Sequence, residues 1–269
     1  MSDEILRFAP LDGTAVKVLL CDADGNLFPS EEPAFVASTR VTNRLLGDLG
    51  IARRFEPDEL RRLAVGRNFR ATAVDLADAA GIAIDPDELE RRVLDERREV
   101  VAHLVAVLRP DPAVRGPLRE LGRRFGLAVV SSSALERLAA CIAATALDEL
   151  LPAERRFSAE DSLPVPVSKP DPAIYRVAGA RLGIADAEGL AIEDAEAGVR
   201  SAVAAGFPAV GNLQFVAPGE RAARIAALRD AGAAAIVPSW RHLRDLLGAD
   251  ATPAPPRPLA RPASTPAAS

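Results

Sequence analysis

The chain has 269 residues, 49% hydrophobic and 26% charged, with a net charge of −5, which is ample for the core of one large domain or of a domain with an insertion. The acidic balance offers no basic footprint for nucleic acid, and no apolar run reaches the length of a membrane span. The start, MSDEILRFAP, lacks the basic and apolar regions of a signal peptide, and Cys21 and Cys141 are too few for a disulfide framework, so a reducing cytoplasm is the expected setting.

In chain order, residues 16–21 (VKVLLC) form a short apolar run that ends at a carboxylate, which predicts a buried parallel strand. Residues 33–107 then carry helical periodicity, as over 41–49 and 89–107, and Pro57 and Pro86 open two of the segments. They predict an all-helical insertion after the first strand. The spacing next predicts a helix over 114–125, a strand over 126–130 (GLAVV) ending in Ser131-Ser132-Ser133, and a helix over 134–147. Residues 172–182 predict a helix with Asp171 as N-cap, Pro172 in the first turn and Gly183 just past the end. A strand over 189–192 (GLAI) ends at Glu193-Asp194, and a helix over 195–205 stops at Gly206. Strands over 207–210 and 233–237 complete the alternation.

Such alternation predicts an α/β fold: a Rossmann-like, mostly parallel sheet core built from 14–32 and 108–248, with 33–107 as a smaller all-helical cap. Residues 249–269, rich in Pro, Ala and Ser, predict a disordered tail.

Four segments can carry chemistry. In CDADGNL, Asp22 and Asp24 stand at the carboxyl end of a buried strand, where open α/β sheets place their sites, and Gly25 permits a tight turn after them. A solvated turn would also accept this pattern. A calcium loop would need later ligands and a terminal Glu that are missing here. The three serines put hydroxyls and free N–H groups at a helix start, which suits a phosphate oxygen or a plain N-cap. Lys169 precedes a proline-fixed helix start, and Lys17 and Lys169 are the only lysines of the chain. Glu193-Asp194 would either favour a helix dipole or, beside Asp22, form a cluster that repels itself unless a cation compensates. Hard oxygen ligands, few in number, suggest Mg²⁺.

Taken in order, these segments resemble the haloacid-dehalogenase superfamily, in its phosphoglycolate-phosphatase and β-phosphoglucomutase branch with a helical cap. VLLCDADGNL resembles the family's first motif except for Asn26, where Thr or Val is usual; Ser131, SKPDPAIY and IEDAEAGVRSAVAAG resemble the other three. The resemblance spans about residues 14–248. Pro29 also departs from the pattern, in the stretch that joins core and cap.

The resemblance implies a Mg²⁺-dependent phosphatase acting on a small phosphorylated metabolite, a sugar phosphate or a phosphorylated acid, through an aspartyl-phosphate. It implies Asp22 as nucleophile and Asp24 as general acid and base. Ser131 and the Ser132 N–H would hold phosphoryl oxygens, and Lys169 would neutralise charge. Asp22, the Asp24 carbonyl and Asp194 would hold Mg²⁺, with Glu193 as alternate ligand. Arg67 and Arg70, in a loop of the cap, would contact substrate. The expected assembly is a monomer or homodimer, without nucleic-acid or membrane partners. Asp24 argues against a dehalogenase, and the cap has no lysine for a phosphonoacetaldehyde hydrolase. A sugar phosphomutase is the alternative that shares every core residue, although residues 29–36 lack the His its relatives carry there. A non-catalytic phosphometabolite-binding protein is the other.

Overall fold

The computed structural model describes residues 4–64 and 68–248; Arg67 and the Pro/Ala-rich tail lie outside the described residues. The described residues form two compact units, one comprising 4–27, 111–138 and 147–248, the other 28–64, 68–110 and 139–146.

The first unit is built on a seven-stranded sheet. Its strands are β1 (Leu6–Arg7), β2 (Val18–Cys21), β3 (Gly126–Ser131), β4 (Arg156–Ser158), β5 (Gly189–Glu193), β6 (Ala209–Asn212) and β7 (Ala235–Val237). Their spatial order is β1-β7-β6-β5-β2-β3-β4. All neighbours are parallel except β1 against β7. The fold is therefore α/β with a mostly parallel sheet, as the alternation of apolar runs and helical stretches implies. The chain runs outward from β2 through β3 and β4, returns to place β5 beside β2, and runs outward again. The carboxyl ends of β2 and β5 thus flank the point where the winding reverses, where such sheets open a crevice.

Central strands read as continuous apolar runs because both faces are covered: β2 and β5 are buried at every position. Leu20, Val130, Ala191, Phe157 and Ile236 belong to one core cluster with Ile174, Tyr175 and Val199 from the helices. Fully burying one such aliphatic side chain contributes about 2 kcal/mol.

Between β2 and β3 the chain is helical: α1 (Glu31–Asp48), α2 (Pro57–Leu63), α3 (Phe69–Ala79), α4 (Pro86–Val107) and α5 (Pro112–Leu121). Aspartate or asparagine caps three of these starts. Asn68 accepts from the Ala71 N–H, Asp85 from Glu88 and Asp111 from Ala113. In the second unit Leu46, Phe55 and Leu60 form a small core with Ile51 and Leu76 packed on it. Asn43 fixes the α1–α2 turn by exchanging two hydrogen bonds with the Phe55 backbone, both 2.9 Å.

The remaining helices are α6 (Leu135–Ala144), α7 (Ala173–Leu182), α8 (Glu196–Ala204), α9 (Arg221–Asp230) and α10 (Trp240–Leu246). Asp171 caps the Ala173 N–H at 2.8 Å, and Gly183 ends α7 in the left-handed conformation. The strand expected over 207–210 lies two residues later, because Pro208 has no N–H for the ladder. That shift puts Asn212 at the strand's carboxyl end. The sequence reading does not contain β1, β4, α9 or α10. Among the described residues no helix is long and apolar enough to cross a membrane.

Candidate active site

Register brings the carboxylates together. β2 and β5 pair with Cys21 opposite Ile192, and the Asp22 N–H donates to the Ile192 carbonyl at 2.9 Å. Asp22 and Glu193 therefore leave the sheet side by side. Gly25 turns the chain with φ +77°, and a Cβ there would stand 2.6 Å from Asp194 Oδ2. Both the backbone conformation and the close carboxylate demand glycine.

Lys169 lies at the centre of the cluster. Its Nζ donates to Asp22 Oδ1 at 2.6 Å, to Glu193 Oε1 at 2.7 Å and to the Val130 carbonyl at 2.8 Å. All three ammonium protons are used. Burial pulls this ammonium toward its neutral form, but Asp22 and Glu193 outweigh it and hold its pKa above the ordinary lysine value. Burial likewise raises the Asp22 carboxyl, against the opposing pull of Lys169. It pushes Glu193 up to about 7, again partly offset by Lys169. Tyr175 also donates to Glu193 Oε1, and burial together with that carboxylate pushes its phenol well up.

Two arginines complete the charge arrangement. Arg224 of α9 donates to the Asp194 carbonyl at 2.6 Å and to its Oδ2 at 3.1 Å. Arg137 of α6 donates to Asp24 Oδ1 at 2.7 Å, and Ser133 Oγ donates to Asp24 Oδ2 at 2.7 Å.

Buried Asp22, Glu193 and Asp194 each offer one carboxylate oxygen within 4.8 Å of the others. An all-oxygen, acidic donor set of this kind fits a hard divalent cation. Glu193 is the least available of the three, because one oxygen already accepts from both Lys169 and Tyr175.

Of the residues singled out from the sequence, Asp22, Lys169, Glu193 and Asp194 meet in one cluster, and Asp24 stands two residues from it. Ser131 ends β3 and is buried; its Oγ accepts from the Ser133 N–H at 3.1 Å. At the start of α6 the Leu135 N–H donates to Asp161 at 2.6 Å. Ser132 Oγ accepts from the Lys169 N–H at 3.3 Å. Arg70 belongs to the helical unit, where Glu90 of α4 takes its guanidinium in a two-pronged ion pair. Arg67 lies outside the described residues.

Sequence reading missed Arg137, Tyr175, Arg224 and Asn212. Arg137 had a signal, since it stands four residues after Ser133 on the helix that the serines open. Tyr175 stands in the quoted SKPDPAIY. Arg224 and Asn212 had none, because α9 and the true end of β6 are not legible as such.

The reversal in strand order and the carboxylate–lysine cluster at it define an α/β protein with a buried, charged site at the carboxyl edge of its sheet. Residues 16–206 match the family model of haloacid dehalogenase-like hydrolases, and the chain belongs to that family of hydrolases. It is 28% identical over 235 residues to a phosphorylated carbohydrates phosphatase of Thermotoga maritima, a match covering 82% of this chain and 94% of that protein. Among solved structures it resembles a HAD family hydrolase of Deinococcus radiodurans R1 with bound phosphate and sodium. That match has TM-score 0.63 and 25% identity, and covers 92% of this chain and 100% of the other. A predicted phosphoglycolate phosphatase of Haemophilus somnus 129pt matches with TM-score 0.67 and 19% identity over 86% and 98% of the two chains.

Proposed function

We propose that this hydrolase is a Mg²⁺-dependent phosphatase of a small phosphomonoester, a sugar phosphate or a phosphorylated acid, and that it works through an aspartyl-phosphate on Asp22. The observation that carries the reading is the Asp22–Lys169 contact of 2.6 Å with Asp24 two residues on and Asp194 alongside. The similarity to a phosphorylated carbohydrates phosphatase supports the substrate class. The absence of His from residues 29–36 favours hydrolysis over phosphomutase chemistry.

In the first displacement an Asp22 oxygen attacks phosphorus and the bond to the ester oxygen breaks. Asp24, as the acid, gives that oxygen a proton. In the second, the Asp24 carboxylate takes a proton from water, whose oxygen attacks the same phosphorus, freeing inorganic phosphate and Asp22. Lys169 neutralises Asp22 and the transferring group, while the Ser131 hydroxyl and Ser132 N–H hold equatorial oxygens. Ser133 and Arg137 hold the Asp24 carboxylate in place between steps. Asp22, Asp194 and the Asp24 carbonyl are the residues that would hold Mg²⁺, with Glu193 in reserve. The ion supplies charge that offsets repulsion between an anionic nucleophile and an anionic substrate. We assign 14–32 and 108–248 to the catalytic core and 33–107 to a cap that selects the substrate, with Arg67 and Arg70 contributing contacts.

Phosphate release from a panel of phosphomonoesters, with Mg²⁺ and with chelator, tests the activity. Intact mass after mixing with an aryl phosphate tests the mechanism. Such a substrate has a good leaving group and needs little protonation, so Asp24→Asn should accumulate an adduct of one phosphoryl group, because no base activates water. Asp22→Asn should carry none and should be inactive. Full turnover by Asp22→Asn would rule out this reading.

A further inference from the structure

Asn26 departs from the family's pattern and is fully buried. Its Nδ2 donates to the Asp22 carbonyl at 3.0 Å and to the Ile192 carbonyl at 2.9 Å. Two carbonyls can only accept, so the amide orientation is determined: Nδ2 faces them and Oδ1 faces away. Oδ1 accepts from Asn212 Nδ2 at 2.8 Å, and Asn212 Oδ1 accepts from the Gln214 N–H at 3.2 Å. The Asn26 carbonyl accepts from Trp240 Nε1 at 2.9 Å. Every polar atom of the Asn26 side chain is satisfied.

The two carbonyls that Asn26 grips belong to the two halves of the acidic cluster. Asp22 carries one carboxylate. Ile192 immediately precedes Glu193-Asp194, which carry the others. One planar amide therefore ties the carboxyl end of β2 to the carboxyl end of β5, sharing the Ile192 carbonyl with the Asp22 N–H and adding the Asp22 carbonyl to the link. A threonine hydroxyl has one donor and a shorter reach; it could serve the Asp22 carbonyl but not bridge to β5. A valine could serve neither.

We infer that Asn26 is a positioning residue, and that its side-chain amide sets the spacing of Asp22 against Asp194 and so the affinity of the site for a divalent cation. Asn212 and Trp240 keep that amide in place. The inference rests on the proposed Mg²⁺ chemistry for its kinetic consequence but not for its binding consequence. Groups that orient metal-binding carboxylates from behind typically matter tenfold to a hundredfold in metal affinity or activity.

The test titrates Mg²⁺ alone into the full-length, metal-free chain by calorimetry, for the parent, Asn26→Thr, Asn26→Leu and Leu118→Ala. Leu118 is a buried core residue of α5, a helix that carries none of the cluster's residues, and its truncation reports the effect of lost stability. Asn26→Thr is expected to weaken Mg²⁺ about tenfold, and Asn26→Leu to weaken it further if it folds. With an active phosphomonoester, Asn26→Thr should lower kcat at fixed Mg²⁺, recover with excess Mg²⁺, and leave KM for the substrate unchanged. Leu118→Ala should lower the melting temperature and leave Mg²⁺ affinity at the parent value. A folded Asn26→Thr that binds Mg²⁺ as the parent does would overturn the inference, and so would equal weakening in Leu118→Ala. If the parent releases no phosphate from any ester, the phosphatase reading fails while the Mg²⁺ titration still decides the role of Asn26.

Discussion

Glu193 is buried against a lysine and a tyrosine, and its proton has a consequence for stability. Its carboxyl rises from the ordinary 4.5 to about 7, chiefly through burial, with Lys169 opposing. Between those values the folded, metal-free protein holds a proton that the unfolded chain has released. The stabilising contribution is therefore complete below pH 4.5 and is lost as pH rises through about 7, at up to about 1.4 kcal/mol per pH unit. Glu193→Gln keeps an oxygen that accepts from Lys169 and Tyr175 but has no proton to lose. With chelator present, the parent's stability relative to Glu193→Gln should fall between about pH 5 and about pH 8 in denaturant titrations. Parallel pH curves would show that Glu193 stays ionised in the fold, held so by Lys169. The paired acids Glu193-Asp194 are legible in the sequence as a cluster. Their division of labour is not, because it depends on which of them faces Lys169 and Tyr175, and Tyr175 reaches Glu193, the end of β5, from α7.

At the scale of the element, two helical glycines show how little a residue type says without its surroundings. Gly198 lies in α8, and a Cβ there would stand 1.8 Å from Glu193 Oε2 and 2.1 Å from its Cδ. The carboxylate fills the space a side chain would take. Gly198→Ala should displace Glu193 from Lys169, lowering stability by roughly 1–3 kcal/mol or more and reducing activity. Gly116 lies in α5 with nothing within 4 Å of its would-be Cβ. Gly116→Ala should instead stabilise by roughly 0.5–1 kcal/mol through helix propensity. Paired unfolding curves check both; equal effects would refute the account. The elements that the sequence made legible were those with strong local signals, such as the apolar runs of β2, β3 and β5 and the proline-marked starts of α2, α4 and α7. Those it hid are short or weakly patterned. β1 has two residues and β4 three, and α9 buries only Leu228 among its side chains, so neither period stands out over so few positions.

At the scale of the whole molecule, residues 249–269 have the composition of a segment that cannot bury a core. A chain ending at Gly248 keeps the carbonyls of Leu247 and Gly248 that Arg124 grips. It should therefore retain its melting temperature and the proposed phosphatase activity; a loss of several degrees would show that the tail docks. The motifs, their order and the strand-then-acid pattern were legible from residues alone, because each is local: a run of buried apolar positions stops where a carboxylate begins. Strand adjacency was not. Asp22 and Asp194 are more than a hundred and seventy positions apart, and nothing in either segment says that β5 returns to lie beside β2 with Cys21 opposite Ile192. That pairing depends on covering both faces of the sheet with helices and on the handedness of each crossover. It brings Lys169 onto two carboxylates, Arg224 onto Asp194 and Asn26 between two strand ends. Local pattern named the candidate groups, whereas long-range packing set the distances between them, since side chains far apart in sequence meet only where the backbone ladder and the buried core hold them.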